Sequence, residues 1–366
     1  VLERILQNYQ ILPSCASRKP VYLNLVLNLI LCQLISFFNS ALFKSSKSER
    51  EFFVIINAKL TIFLVFALAN CQLNAMFARS ILRTSTYSRH NLKRCYTNKV
   101  YWLTDIHIDK LTKYKRQELY RIIDPLSDRI LITGDIAEGD SVCELLTEMH
   151  GALKIPIDFV LGNHDYYHQN IDTVRNDIIS LCDNNKQLTW LGQGEIVEYG
   201  DRILLVGQDG WADARYGDFS LSPFLMTDSY AIHDLRKAKE EGALALKIKM
   251  QELADADATK LKFTLSNAIR RNPQKIIIAT HVPPFAECAW SRRGPSSDKF
   301  LPFFTSRVMG DLICDFGQEY PEISFVVLAG HTHVEKQIKI MPNIEVIIGG
   351  AAYLNPSLSN ALLSFM

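Results

Sequence analysis

What the 366-residue chain lacks narrows it first. Its eight cysteines include no Cys-x-x-Cys pair and no dense spacing. That argues against a thiolate metal module or a disulfide-stapled scaffold, and it fits reduced thiols in a cytosolic setting. No P-loop, internal repeat or low-complexity linker is present. Acidic residues are scarce at the front: through residue 104, only Glu3, Glu49 and Glu51 stand against 13 Lys or Arg. The remainder reverses the balance, with 36 acidic and 27 basic residues, so the formal charge of +1 describes neither part. A net-acidic part is poorly suited to broad nucleic-acid binding, which rests on neutralising phosphates with Lys and Arg.

The front part carries two apolar runs, 21–38 and 52–69, each about the length of a membrane span. Asn24, Asn28 and Gln33 interrupt the first, and Asn57 and Lys59 the second. One expectation is a membrane hairpin through residues 21–69, with the basic stretch 79–99 on the cytoplasmic side. A second is a targeting segment that begins at Met76, rich in Arg and Ser and lacking acids. A third is an upstream extension foreign to the natural protein. Residues 1–97 are therefore set apart from a domain at 98–358 and a tail at 359–366.

Within that domain, five short β-branched-rich runs read as strands buried on both faces: 100–104, 129–133, 157–161, 275–280 and 325–329. Each runs into Asp, Asn or His. Asp105 and His107 follow the first, and Gly134-Asp135 the second. Gly162-Asn163-His164-Asp165 follows the third, His281 the fourth, and Gly330-His331-Thr332-His333 the fifth. Open α/β sheets bind ligands outside the carboxyl ends of their strands, so these tips predict one convergent site.

Asp105, His107, Asp135, Asn163, His281, His331 and His333 offer imidazole nitrogens and carboxylate or amide oxygens, and no sulfur. Such donors suit Mn, Fe, Zn, Ni or Co. Seven donors are too many for one tetrahedral ion and about right for two divalent ions sharing a carboxylate. Two such ions clamp the attacking and leaving oxygens of a displacement at phosphorus.

Asp-x-His, Gly-Asp, Gly-Asn-His-Asp, a lone His after a strand and Gly-His-x-His, in this order, resemble the calcineurin-like metallophosphoesterase family. The resemblance covers roughly residues 98–356. It implies an α/β fold of two mixed β-sheets packed face to face and flanked by helices. It also implies one ion at Asp105, His107, Asp135 and His333, and a second at Asp135, Asn163, His281 and His331. A hydroxide held between the ions would attack the phosphorus of a mono- or diester. His164 resembles the family histidine that assists the leaving oxygen, and Asp165 is expected to hold its tautomer. The implied substrate is a phosphorylated small molecule or a nucleotide, and the implied location is cytoplasmic, with or without a membrane anchor. Two other readings are a non-catalytic metal-binding scaffold and a nuclease of the same fold. The complete ligand set weighs against the first and the acidic balance against the second.

The surroundings yield finer expectations. Arg215, in a loop after a strand, is a candidate phosphate contact, with Trp211 packed beneath a plain surface loop as the alternative. Arg292 and Arg293 are further candidate substrate contacts. Helices are expected at 111–123, 141–150 and 170–182, with Ser141 and Glu144 forming a capping box. The stretch 229–271 reads as helical, with breaks at Gly242 and at 255–257. The pieces at 188–191, 195–199 and 203–207 have no helix between them and suggest a second, antiparallel region.

Overall fold

The computed structural model describes residues 98–123, 127–221, 226–352 and 362–365. The two apolar runs, Met76 and the basic stretch lie almost wholly outside these residues. No helix among the described residues is long and apolar enough to cross a membrane.

Along β1 (Asn98–Leu103), alternate side chains take opposite faces, as the period of two requires. Val100 and Trp102 enter the core between the two sheets, whereas Tyr101 and Leu103 pack beneath helices. β2 (Arg129–Thr133), β3 (Ile157–Val160) and β4 (Leu188–Trp190) continue the sheet in parallel. Helices α1 (Lys113–Ile123), α2 (Ser141–Leu153) and α3 (Ile171–Asn184) connect the four strands and cover the outer face through Leu119, Leu146 and Ile178.

The second sheet starts with the hairpin β5 (Val197–Gly200) and β6 (Ile203–Gly207). Helices α4 (Asp228–Ala231), α5 (His233–Glu241) and α6 (Ala243–Ile269) follow. β7 (Lys275–Ala279) then lies parallel to β6. A two-residue pair, β8 (Trp290–Ser291) and β9 (Gly294–Pro295), forms a separate small hairpin. After α7 (Leu301–Phe304) and α8 (Arg307–Glu319), β10 (Ser324–Ala329) joins β7 in parallel. β11 (Lys336–Met341) and β12 (Ile344–Ile348) form a hairpin whose β12 lies parallel to β10. β13 (Leu362–Phe365) pairs antiparallel with β1, so part of the expected tail extends the first sheet.

The layers are thus helices, sheet, sheet, helices, as expected. Ile277, Ala279 and Leu328 meet Val100 and Trp102 between the sheets, while Ile276 and Ile278 face the helix side with Leu261 and Leu265.

Several local expectations are corrected. β4 belongs to the first sheet and β6 runs parallel to β7, so only the β5–β6 pair of that region is antiparallel. Ser141 lies inside α2 rather than capping it, and its hydroxyl donates to the Glu138 carbonyl at 2.7 Å. The helical stretch breaks at Gly242 but runs unbroken through 255–257. Asp257 does not end the helix because its buried carboxylate meets Arg175 at 3.0 Å and the Gly210 N–H at 3.1 Å. A partnered aspartate no longer competes for the backbone as an unpartnered one does.

Candidate metal centre

β1, β2, β3, β7 and β10 all deliver their following residues to one end of the sandwich, because β1, β2 and β3 run parallel in one sheet and β7 and β10 in the other. Asp209 helps lock the two sheets together there. Its carboxylate accepts from Leu161 N–H, Trp190 Nε1 and the Tyr166 hydroxyl, and its carbonyl accepts from His281 N–H.

Five candidate ligands have left-handed backbone: Asp105 (φ 50°), His107 (39°), Asp135 (51°), His331 (70°) and His333 (58°). Non-glycine residues pay on the order of 1 kcal/mol or more for this conformation, and such strain concentrates at functional sites. The turns are held by Asp105 N–H to Gly134 O and His107 N–H to Asp135 O, both 3.0 Å. The glycines before the ligands answer to crowding. A Cβ at Gly162 would overlap Asp135 Oδ1, and one at Gly330 would overlap Thr104 Oγ1 and Asp105 Oδ2. Gly330→Ala is therefore expected to cost about 1–3 kcal/mol, read from the urea midpoint of the metal-free protein.

Two groups of donors form. In the first, donor atoms of Asp105, His107, Asp135 and His333 lie within 4.8 Å of one another. His333 Nε2 is 3.2 Å from Asp105 Oδ1, and His107 Nε2 is 3.7 Å from Asp135 Oδ2. In the second, Asn163 Oδ1 sits 3.0 Å from both His281 Nε2 and His331 Nδ1, which are 3.3 Å apart. Asp135 Oδ1 is 3.4 Å from His281 Nε2. Asp135 therefore offers one oxygen to each group.

Hydrogen bonding assigns the tautomers of the second group. His281 Nδ1 faces the Thr133 carbonyl at 2.9 Å, and His331 Nε2 faces the Phe303 carbonyl at 3.0 Å. A carbonyl only accepts, so those nitrogens carry the protons. Burial lowers both imidazoles, His331 to about 4, which favours the neutral rings, and with the outer nitrogens donating to carbonyls the inward nitrogens are the ones left bare. Asn163 Nδ2 donates to Asp228, leaving its oxygen inward too. Three acceptor atoms thus meet at close range with no hydrogen between them, beside a carboxylate oxygen. A cation reconciles that arrangement, and the N/O donor chemistry fits one.

The first group is electrostatically uneven. Burial raises the Asp105 carboxyl, but the His333 hydrogen bond and the charges of His281 and His333 outweigh it and hold it low. Asp135 is pushed well up by burial and by the nearby Asp105 and Asp165 charges. Burial, then His164, lowers His107 to about 3, leaving its imidazole neutral.

His164 sits at the rim, 20% exposed, with Nε2 3.9 Å from Asp135 Oδ2. Its ring stacks on Tyr167 at 4.2 Å between centroids. The Asp165 expectation is corrected. Its buried carboxylate accepts from the backbone N–H groups of Ile136, Ala137 and Gly162, so it braces the β2 and β3 loops rather than the His164 ring. The acid facing His164 Nδ1 is Glu138, at 3.8 Å, itself paired with Lys110 at 2.7 Å. Glu138 follows Asp135 by three residues in the same loop, a spacing visible in the sequence. Tyr167 follows His164 by three, the eclipsed spacing of a 3₁₀ turn. Asp228 is distant in sequence and carried no signal.

The arginines stand apart. Arg215 is taken up by Asp213 at 3.1 Å and Asp255 at 2.8 Å, and Trp211 is buried against Tyr166, which matches the plain-loop alternative. Arg292 and Arg293 are exposed in the turn between β8 and β9.

Comparison with known proteins places this geometry. A family model described as calcineurin-like phosphoesterase matches residues 99–335. No curated protein matches the chain. Among solved structures, a phosphopantetheinyl hydrolase from Mycobacterium tuberculosis is similar at 12% identity and TM-score 0.47, over 69% of this chain and 90% of that one. A dimetal phosphatase from Danio rerio is similar at 10% identity and TM-score 0.43, over 69% and 88%. The family model spans most of the described residues and contains all five strand ends that carry the candidate ligands, and the chain belongs to the calcineurin-like phosphoesterase family.

Proposed function

We propose that this chain hydrolyses a phosphate mono- or diester of a small molecule or nucleotide, using two divalent cations that share Asp135. The supporting observation is the pairing of two donor groups through that one carboxylate, the second group made of inward-facing acceptors. Asp105, His107, Asp135 and His333 would hold one cation, and Asp135, Asn163, His281 and His331 the other. When bound, the cations supply Lewis acidity, which offsets phosphoryl charge and eases deprotonation of water.

The chain's own groups supply the rest. His164 Nε2 lies on the side facing Asp135, where a leaving oxygen would meet it, and it hands that oxygen a proton. Burial lowers the imidazole, and the Asp228 and Glu138 charges work against that shift. Glu138 faces the opposite nitrogen, Nδ1, and favours a proton there, so Nε2 is the atom that exchanges with substrate. Tyr167, stacked on the ring, fixes its plane.

A panel of phosphomonoesters, diesters and nucleotides tests the reading. Turnover should appear with added Mn²⁺, vanish with chelator and return when metal is restored. Stoichiometric metal binding without turnover of any ester would favour the non-catalytic scaffold instead.

A further inference from the structure

Asp228 begins α4, 65 positions from Asn163 in the chain, and faces the metal centre from outside the ligand set. Its Oδ1 accepts two hydrogen bonds, from Asn163 Nδ2 at 2.8 Å and from the Tyr167 hydroxyl at 2.7 Å. We propose that Asp228 is a positioning residue that keeps the Asn163 amide turned with its oxygen inward, ready for a cation. This rests on the proposal that Asn163, His281 and His331 hold the second cation.

A side-chain amide is nearly symmetric in shape but not in chemistry: one end accepts and the other donates. Only the oxygen can serve a cation. Yet the inner surroundings of Asn163 favour the wrong end. The bare nitrogens of His281 and His331 each lie 3.0 Å from the amide oxygen, and an inward NH₂ would donate to both. In the metal-free protein, that flipped amide would convert two acceptor–acceptor contacts into hydrogen bonds. The outer side must oppose the flip. A carboxylate does so because it only accepts, so the NH₂ end is the one that can face it. The Tyr167 hydroxyl anchors the same carboxylate oxygen. Tyr167 also stacks on His164, so one acid supports both a candidate ligand and the ring proposed to serve the leaving group.

Water is a poor substitute. Asn163, Asp228 and His331 border a small cavity of about 30 Å³, enough for one water. A water admitted in place of the carboxylate can donate or accept, so it leaves either amide orientation satisfied.

The test is Mn²⁺ binding to metal-free protein by calorimetry, for wild type, Asp228→Ala and Asp228→Asn. Wild type should bind two ions. Asp228→Ala should keep the first binding step within about twofold and weaken the second by about 10- to 100-fold, the usual effect of removing a hydrogen bond behind a ligand. Asp228→Asn keeps an accepting oxygen of the same reach, and the Tyr167 hydroxyl that donates at that position favours the oxygen over the NH₂ there, so it should bind the second ion within a few-fold of wild type. A merely structural role would not be rescued in this way. If the alanine variant does not fold, Asp228→Ser gives the same comparison, because its short side chain also withdraws the accepting oxygen from the amide. Two wild-type-like steps in Asp228→Ala or Asp228→Ser would overturn the proposal. So would an Asp228→Asn variant as impaired as alanine, which would assign the effect to charge. A single step in wild type would instead sink the two-cation reading on which the proposal rests.

Discussion

His164→Ala is expected to keep the fold and both metal-binding steps while losing about 10² to 10⁴-fold in kcat, the range of general acid assistance. The ring lies at the rim of the donor groups, with its nitrogens 3.9 Å from Asp135 and 3.8 Å from Glu138. It has no place among the inward acceptors of the second group. Its contribution is greatest when the P–O bond breaks and the leaving oxygen gains charge. Removing an interaction made chiefly in the transition state lowers kcat with little change in KM. The loss should shrink for nitrophenyl phosphate, whose leaving group needs little protonation, and be largest for an alkyl phosphate. Equal losses on both would assign His164 to phosphate binding. Loss of an ion by elemental analysis would make it a ligand. Glu138→Gln should give a milder version of the same pattern, because Glu138 faces Nδ1. Asp165→Asn should act mainly on stability, because it meets three backbone N–H groups and not the ring.

Asp135→Asn is expected to damage both binding steps at once, by more than the 10- to 100-fold typical of losing a group behind a ligand. Its two oxygens serve different groups, Oδ2 toward His107 and Oδ1 toward His281. An amide has one accepting atom, so one group loses its donor outright. The shared negative charge is lost to both. The fold should survive, because the amide is isosteric and its neutrality relieves repulsion from Asp105 and Asp165. In chelator, the melting temperature should therefore stay near wild type, while the rise on adding Mn²⁺ disappears. By contrast, His333→Ala should weaken mainly the first step and His281→Ala mainly the second. An Asp135→Asn variant that loses only one step would show that the carboxylate does not bridge.

The same neighbourhood shows what a sequence carries and what it does not. The strands were legible because each is a short apolar run with β-branched residues, and such a run does not depend on its neighbours for its character. The seven candidate donors could be picked out because each lies within four residues of a strand's end. Wherever parallel strands share a sheet, their tips share an edge, so adjacency in sequence became adjacency in space. The partners of those donors were harder. Asp165 follows His164 in the chain, yet the 3₁₀ turn sends the two side chains apart, one into the loop core and one to the rim. Sequence neighbours on a turn are not spatial neighbours, and the acid that faces His164 comes from the loop after β2.

The Arg215 expectation meets a related obstacle. A guanidinium near a site reads as a phosphate contact only while its own acids are unknown, and Asp213 and Asp255 occupy Arg215. Likewise Asp257 reads as a helix breaker until Arg175, 82 positions away, gives it a partner.

By itself the sequence determined the candidate ligand types, their order, the strands that carry them and hence the family. It did so because metal chemistry restricts the donors and strand periodicity restricts their placement. Only the tertiary structure decided the direction of each donor. The tautomers of His281 and His331 depend on carbonyls of Thr133 and Phe303, and the Asn163 amide depends on Asp228. Each of those partners arrives from another element, brought into reach only when the two sheets pack and their loops close on one edge.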